Sequence, residues 1–443
     1  MTLAAKRHIF VLQAGDLRDV VLLEPLVAAL SHRYPDASLT VACREEFTPI
    51  VPLFRRQPRE VVPIDFDPRT VDRPSPALAG HLNSLDGLLG RRWVELFIAA
   101  NRRPDWFSWY LGAKVQPRAA IRNPAGPAPR GLLRVLLAEA GLPEIAFEAP
   151  ATAPESEIAR IDSLAAAAGA APAPSERWAL PPGYDQMTES LLRQWSLGRG
   201  RYLVCFPFDD SPAKHPERRS WPQERLWSAL LHLAHEWEMP VLLIAPEEQA
   251  PQAEAIAQCV DGASLRCWFT TPADAVLEAG LIASAAAYFG TDSGRTHVAQ
   301  AFRVPGVAVH SGEQWPAYRA WAPGSISVVN PIECFGCEGD CPFTLPHCLD
   351  AIPSGPVLAA LQEAIANPDA PPQVMTLRQP VSCAPGYLAG EQTAYRATLC
   401  ESQDSRSRQV ELLHAAAPAP RRNPLSSLWQ NWHTGLWQNR HSG

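Results

Sequence analysis

Residues 8–13, HIFVLQ, form a short run of β-branched, aromatic and aliphatic side chains, and the segment after them, DVVLLEPLVAALSHRYP, carries Leu22, Leu26 and Leu30 at helical spacing. A second apolar run, SLTVAC, follows the Pro35-Asp36 turn. Strand, helix and strand in that order need a crossover, so the two strands are expected to lie parallel in one sheet with the helix on its face. The rhythm restarts after residue 200 with RYLVCFPF, the helix-spaced PQERLWSALLHLAHEWE, the run PVLLIAP, then QAPQAEAIAQCV, LEAGLIASA, AYFGTD and SGRTHVAQAF. A restart implies a second sheet, and 443 residues suffice for two or three ordinary domains. Residues 149–183, rich in Ala, Pro, Ser and Glu, suit a linker with one helical piece. The expected division is 1–180, 181–365 and, where periodicity gives way to Pro, Ser and Arg, a loosely ordered tail over 366–443.

Composition narrows the function. Hydrophobic residues make up 47% and charged residues 19%, which describes packed domains, and a net charge of −7 supplies no global field to recruit nucleic acid. The apolar core of the opening segment, Ile9 to Leu12, is far shorter than a signal sequence core or the roughly 20 residues of a membrane span. A cytoplasmic chain is therefore expected, whose ten cysteines are reduced thiols or metal ligands rather than disulfides.

The stretch YFGTDSGRTHVAQAF sets Asp292, Ser293, Gly294 and His297 between a strand and a helix. A helix beginning there points free backbone N–H groups and its positive dipole end toward whatever lies beyond the strand, which favours a phosphate. Capping of a core helix by Asp292 or Ser293 is the competing reading.

The region DSGRTHVAQAFRVPGVAVHSGEQWPAYRAWAP, with the cysteine cluster ending in CLDAI, resembles glycosyltransferase family 9, the ADP-heptose:lipopolysaccharide heptosyltransferases. The amino end, IFVLQAGDLRDVVLLEPLVAALSHRYPDASLTVACREEF, is similar to the family's first βαβ unit, with a Gly-Asp pair after the first strand and an early Pro, Pro25, in the helix. RRSWPQERLWSALLHLA is similar to its Lys-x-Trp-Pro turn. The resemblance covers most of residues 8–365 and implies an α/β GT-B fold, two Rossmann-like domains facing across a cleft. The first would bind a lipid-linked glycan acceptor and the second a nucleotide-sugar, ADP-heptose in this family, with heptose passing to a lipopolysaccharide core by an inverting, metal-independent reaction. The same-class alternative is another nucleotide-sugar or surface glycan. The alternative from another class is a non-catalytic relative that serves as a binding or scaffold protein.

Carried over residue by residue, the resemblance makes Asp19 the general base on the acceptor hydroxyl. A sugar hydroxyl is a poor nucleophile, and a carboxylate there can take its proton as the new bond forms. Asp16 lies three residues earlier, and the family's Gly before the aspartate is replaced by Arg18, which would fit poorly if that position needed a positive φ. Asp292, Ser293, Gly294 and His297 match the turn that wraps the donor's diphosphate and sugar. Arg219 stands where the motif has Lys, a cation that offsets charge on the departing phosphate, or else is a solvated loop cation beside Arg218. In IAPEEQ, Glu247 and Glu248 both qualify for the nucleotide ribose, with Glu248 preferred, and either can simply begin a helix.

Three features stand beside that reading. The DFD of residues 65–67 has the form of a divalent-cation motif, which a solvated loop after a strand explains equally well. Cys334, Cys337, Cys341 and Cys348 have a spacing that a structural Zn²⁺ could use, with a knuckle of reduced thiols or an iron–sulfur centre as alternatives, while Cys43, Cys205, Cys259 and Cys267 read as core thiols. No cofactor is expected to be required for catalysis. Trp429, Trp432 and Trp437, near Arg421, Arg422 and Arg440, make a candidate contact with the inner leaflet of the cytoplasmic membrane, or else pack back on the protein.

Overall fold

The structure is a computed structural model, and it describes residues 7–89, 94–102, 105–123, 131–150, 155–173, 176–209, 219–237, 239–259, 265–313, 315–337, 341, 346–378 and 408–410. Its chain divides into two compact units. The first comprises the described residues up to Pro182 with Pro272–Val276 and Pro316–Tyr318, and the second comprises the remainder.

The first unit is built on strands β1 (His8–Gln13), β2 (Ser38–Arg44), β3 (Glu60–Ile64), β4 (Leu96–Ala99) and β5 (Ala119–Arg122). They lie parallel in the order β3-β2-β1-β4-β5. Five of the six β1 residues are buried, which follows from its continuous apolar run: a central parallel strand is covered on both faces. Helices α1 (Leu17–Val21), α2 (Glu24–Arg33), α3 (Pro76–Leu89), α4 (Trp106–Val115), α5 (Gly131–Glu139) and α6 (Glu157–Ala167) complete the unit. In α4 the side chains of Trp106, Phe107, Trp109 and Tyr110 all enter the core, so this helix is apolar on every face rather than on one stripe. The Ala-rich stretch read as a linker does more than tether: Ile161 and Leu164 of α6 are fully buried, and Tyr34 and Arg33 at the end of α2 donate to the carbonyls of Ala168 and Gly169.

The second unit holds an eight-stranded sheet of β6 (Leu203–Phe206), β7 (Val241–Pro246), β8 (Leu265–Thr270), β9 (Ala287–Thr291), β10 (Gly306–Val309), β11 (Ser325–Val329), β12 (Gln373–Thr376) and β13 (Arg408–Val410). Its order is β13-β12-β11-β10-β9-β6-β7-β8, again parallel. Helices α7 (Tyr184–Gln194), α8 (Gln223–His232), α9 (Ala250–Cys259), α10 (Ala275–Ala283), α11 (Gly294–Ala301), α12 (His347–Asp350) and α13 (Ser354–Ala366) connect the strands. Gly290 sits at φ +133° in β9, where a Cβ would run into the backbone of Phe206 on β6, so only glycine fits the point at which β9 passes the sheet's middle. Strand β12 falls within the stretch whose composition read as tail.

Both sheets reverse strand order once, between β1 and β4 and between β9 and β6, and the carboxyl ends of those strands are where open α/β sheets leave a crevice.

Candidate functional site

At the carboxyl end of β1 the chain turns through Ala14 and Gly15 into α1. The turn is held from the next strand: Gln13 Nε2 donates to the carbonyl of Ala100 at 3.0 Å, and Ala14 N–H donates to Asn101 Oδ1 at 2.7 Å. Asn101 in turn donates to Asp105 and Ser108 at the start of α4, so β1 and β4 are locked at the point where order reverses.

This turn presents two acids with different surroundings. Asp16 caps α1 and is neutralised, with Arg69 Nη2 at 2.6 Å and Arg44 Nη1 at 3.4 Å from its Oδ1. Asp19, one turn on, has no ion-pair partner among the described residues. Its Oδ2 accepts from Asp16 N–H at 2.8 Å, and its Oδ1 accepts from the Tyr318 hydroxyl at 2.6 Å. Burial, then the nearby charges of Glu157 and Asp16, raise the Asp19 pKa to about 6, against the two hydrogen bonds that favour its carboxylate. A carboxylate that titrates there can gain and lose a proton near neutral pH.

Arg18, the departure from the family's glycine, lies within helix α1 and is not among the residues of positive φ. The backbone therefore asks for no glycine, and the side chain is used: its guanidinium lies over the Tyr318 ring at 4.9 Å, with that of Arg102 at 5.5 Å. Glu157 and Arg160 of α6 form a buried ion pair, Arg160 Nε donating to Glu157 Oε2 at 2.8 Å, and Arg160 also donates to the carbonyl of Ala100.

The DFD acids are both engaged by basic side chains. Asp65 pairs with His81 at 2.9 Å, whereas Asp67 accepts from Arg69 Nη2 at 2.7 Å and lies 3.5 Å from Arg44. Burial would raise the Asp67 carboxyl, but the Arg69 hydrogen bonds and the charges of Arg69 and Arg44 lower it. Asp67 is thus a packed cap of the turn at Pro68–Thr70 rather than a solvated loop acid.

In the second unit, β9 ends at Thr291 and α11 begins at Gly294, with Ser293 as its N-cap in extended conformation. Ser293 is completely buried and its Oγ makes no hydrogen bond among the described residues, while Thr296 donates to the Ser293 carbonyl at 2.7 Å. Asp292 stands between two imidazoles, its Oδ1 at 3.6 Å from His297 Nε2 and its Oδ2 at 3.4 Å from His310 Nδ1. The indole N–H of Trp321 donates to His297 Nδ1 at 3.1 Å. A neutral His297 must therefore carry its proton on Nε2, facing Asp292.

Arg219 reaches the same strand end. Trp221 N–H donates to Thr291 Oγ1 at 3.0 Å, and that hydroxyl donates to the carbonyl of Pro207. The Arg219 guanidinium grips both oxygens of Glu313, Nε to Oε2 at 2.5 Å, and lies 3.4 Å from Asp209. It is a clamped cation, neither the solvated one nor a free one. Glu247 and Glu248 are exposed in a short turn at the carboxyl end of β7, where Gln249 donates to the Asp209 carbonyl at 3.4 Å.

Cys348 is buried and pushed up to about 12, chiefly by burial and also by the charges of Cys334, Cys337 and Cys341. Among the described residues, no three of His, Cys, Asp and Glu come together closely enough to hold a metal. Cys43 and Cys205 are fully buried core thiols, and Cys267 is partly covered. The side chain of Cys259 and all of Trp429, Trp432 and Trp437 lie outside the described residues. No described helix is long and apolar enough to cross a membrane.

Residues 158–343 match the family model of glycosyltransferase family 9 (heptosyltransferase). That match covers the end of the first unit and most of the second. No curated sequence matches it. Three solved structures share its fold. A glycosyl transferase family 9 protein from Veillonella parvula DSM 2008 aligns with TM-score 0.64 at 14% identity, over 81% of this chain and 97% of that one. E. coli ADP-heptose lps heptosyltransferase II aligns at 0.57 and 17%, over 81% and 98%. E. coli heptosyltransferase WaaC, solved with ADP, aligns at 0.52 and 15%, over 82% and 99%. The chain thus has the GT-B fold of two Rossmann-like units. Its sequence alone did not single out Tyr318, Glu157, Arg160, Glu313 or His310. Tyr318 and Glu313 lie 299 and 94 residues from the groups they touch, Glu157 and Arg160 pair within a helix whose Ala-rich sequence read as linker, and His310 lies one residue past a strand.

Proposed function

We propose that the protein is an inverting, metal-independent glycosyltransferase that moves heptose from ADP-heptose to a lipid-linked lipopolysaccharide core acceptor on the cytoplasmic side of the membrane. The observation that carries this reading is Asp19, a buried carboxylate at the carboxyl end of β1 with no ion-pair partner among the described residues and a pKa of about 6. In the reaction the acceptor hydroxyl gives its proton to Asp19 while its oxygen forms the bond to the anomeric carbon. The bond from that carbon to the donor phosphate breaks, and the electron pair leaves with ADP. Displacement from the face opposite the phosphate inverts the anomeric centre.

The donor end of the reading rests on the Asp292–His297 turn. The first N–H groups of α11 and the Ser293 hydroxyl are suited to a diphosphate, and Arg219, directed by Glu313, offsets charge on the leaving group. Glu248, exposed at the end of β7, is the candidate ribose contact. ADP is the nucleotide named with WaaC, and heptose is the sugar of the matched family description.

The neutralisation of Arg219 by Glu313 favours one second reading, a family member that binds the nucleotide without turning it over. Release of ADP from ADP-heptose with a lipopolysaccharide core acceptor, assayed in EDTA, separates the two. Turnover in EDTA is expected. Tight ADP binding with no release would establish the binding role, and activity lost to EDTA and restored by Mg²⁺ would remove metal independence.

A further inference from the structure

Residues Pro316–Tyr318 belong to the first unit although they lie far along the chain. They are fastened there by backbone and side chain. Glu157 N–H donates to the Ala317 carbonyl at 2.8 Å, and one residue later the Tyr318 hydroxyl donates to Asp19 Oδ1 at 2.6 Å. The Tyr318 ring is itself held by the guanidinium groups of Arg18 and Arg102.

We propose that Tyr318 is the positioning residue of the Asp19 base: its phenol fixes which way the carboxylate faces and favours the form that accepts a proton. This rests on the reading of Asp19 as the base. A carboxylate on a short helix can rotate about its last bond, and a single backbone hydrogen bond to Oδ2 leaves that rotation half open. A second donor on Oδ1 closes it, so the remaining lone pairs have one direction in which to meet an acceptor hydroxyl. The phenol is suited to this because burial, with the charges of Asp19 and Glu157, holds its own pKa well above the usual tyrosine range. It stays a donor at every working pH and takes no proton from the reaction.

The charges facing Asp19 make the hydrogen bond necessary. Glu157 and Asp16 both oppose ionisation. Arg160 is engaged by Glu157, Arg44 and Arg69 are engaged by Asp16, and Arg18 and Arg102 address the Tyr318 ring. The Tyr318 O–H and the Asp16 N–H are therefore the direct donors that favour the carboxylate.

The test compares wild type, Tyr318→Phe and Asp19→Asn by the pH dependence of kcat/KM for ADP release, with the Asp19 carboxyl titration followed separately by isotope-edited infrared spectroscopy. Losing one hydrogen bond to a charged group should move the acid limb of Tyr318→Phe upward by about one pH unit or more, with turnover largely recovered at high pH. Fluorotyrosine at position 318, a stronger donor of nearly the same shape, should move the limb down and serves if the Phe variant does not fold. A limb that stays in place in either folded variant overturns the proposal. Full activity of Asp19→Asn overturns the base reading instead. The infrared titration keeps the failures apart, since it reads the hydrogen bond on Asp19 whether or not Asp19 is the base.

Discussion

A Cβ placed on Gly15 would stand 2.7 Å from Cγ of Asp19 and 2.8 Å from its Cβ, well inside contact distance. The Asp19 side chain fills the space that Gly15 leaves, which is how its carboxylate folds back to accept the Asp16 N–H. Gly15→Ala should therefore displace the carboxylate while sparing the sheet beneath. Turnover is expected to fall by at least about tenfold, with ADP affinity unchanged and the melting temperature within a few degrees of wild type. Steady-state kinetics with ADP calorimetry would check this, and an unaltered kcat would detach the turn from the chemistry.

Asp19 should also leave a signature in stability against pH. Its folded pKa, about 6, lies above the value of 3.8 that it relaxes to on unfolding. Below pH 4 the group is protonated in both states and costs nothing. Between pH 4 and 6 the unfolded chain ionises first, so stability falls as pH rises, and above pH 6 the loss is complete at about 3 kcal/mol. Asp19→Asn removes this dependence. Melting temperatures from pH 4 to 8 should fall more steeply for wild type than for the variant, and equal slopes would contradict the raised pKa.

Arg219 and Glu313 give opposite expectations for nucleotide binding. If the guanidinium serves the diphosphate, Arg219→Ala should weaken ADP binding by about tenfold or more, whereas Glu313→Gln lifts the opposing charge and should tighten it severalfold. A pair that only clips two loops together would lower the melting temperature in both variants and leave ADP affinity alone.

Ser293→Asp would place a like charge against a poorly solvated phosphate. Serine and aspartate are comparable N-caps, so helix α11 should survive, yet ADP affinity is expected to drop by about tenfold to a hundredfold. Circular dichroism establishes folding and calorimetry reads the affinity. Wild-type affinity in a folded variant would remove the phosphate from this turn.

Much of the framework was legible because it rests on short-range pattern. Continuous apolar runs such as HIFVLQ and SLTVAC made buried parallel strands, and Leu22, Leu26 and Leu30 are all buried, although the one helix their spacing suggested is two, broken between Val21 and Glu24. The acids of the β1–α1 turn could be found but not told apart, since the difference lies in Arg44 and Arg69 reaching Asp16 across the sheet. Tyr318 was beyond any local pattern, 299 residues from the carboxylate it touches. The Ala-rich stretch concealed Glu157 and Arg160 because small side chains read as linker, yet α6 buries both as an ion pair.

Strand β12 also decides where the polypeptide can be shortened. Gln373–Thr376 pairs with β11 residue for residue, and Met375 and Leu377 are buried in the core of the second unit. A chain ended at Ala366 would leave the backbone N–H and C=O groups of β11 bare along one side, together with the apolar surface that β12 had covered. Such an edge invites pairing with another molecule, so that product should self-associate, while one ended after Arg378 keeps β11 covered by β12 and gives up only the three-residue pairing with β13.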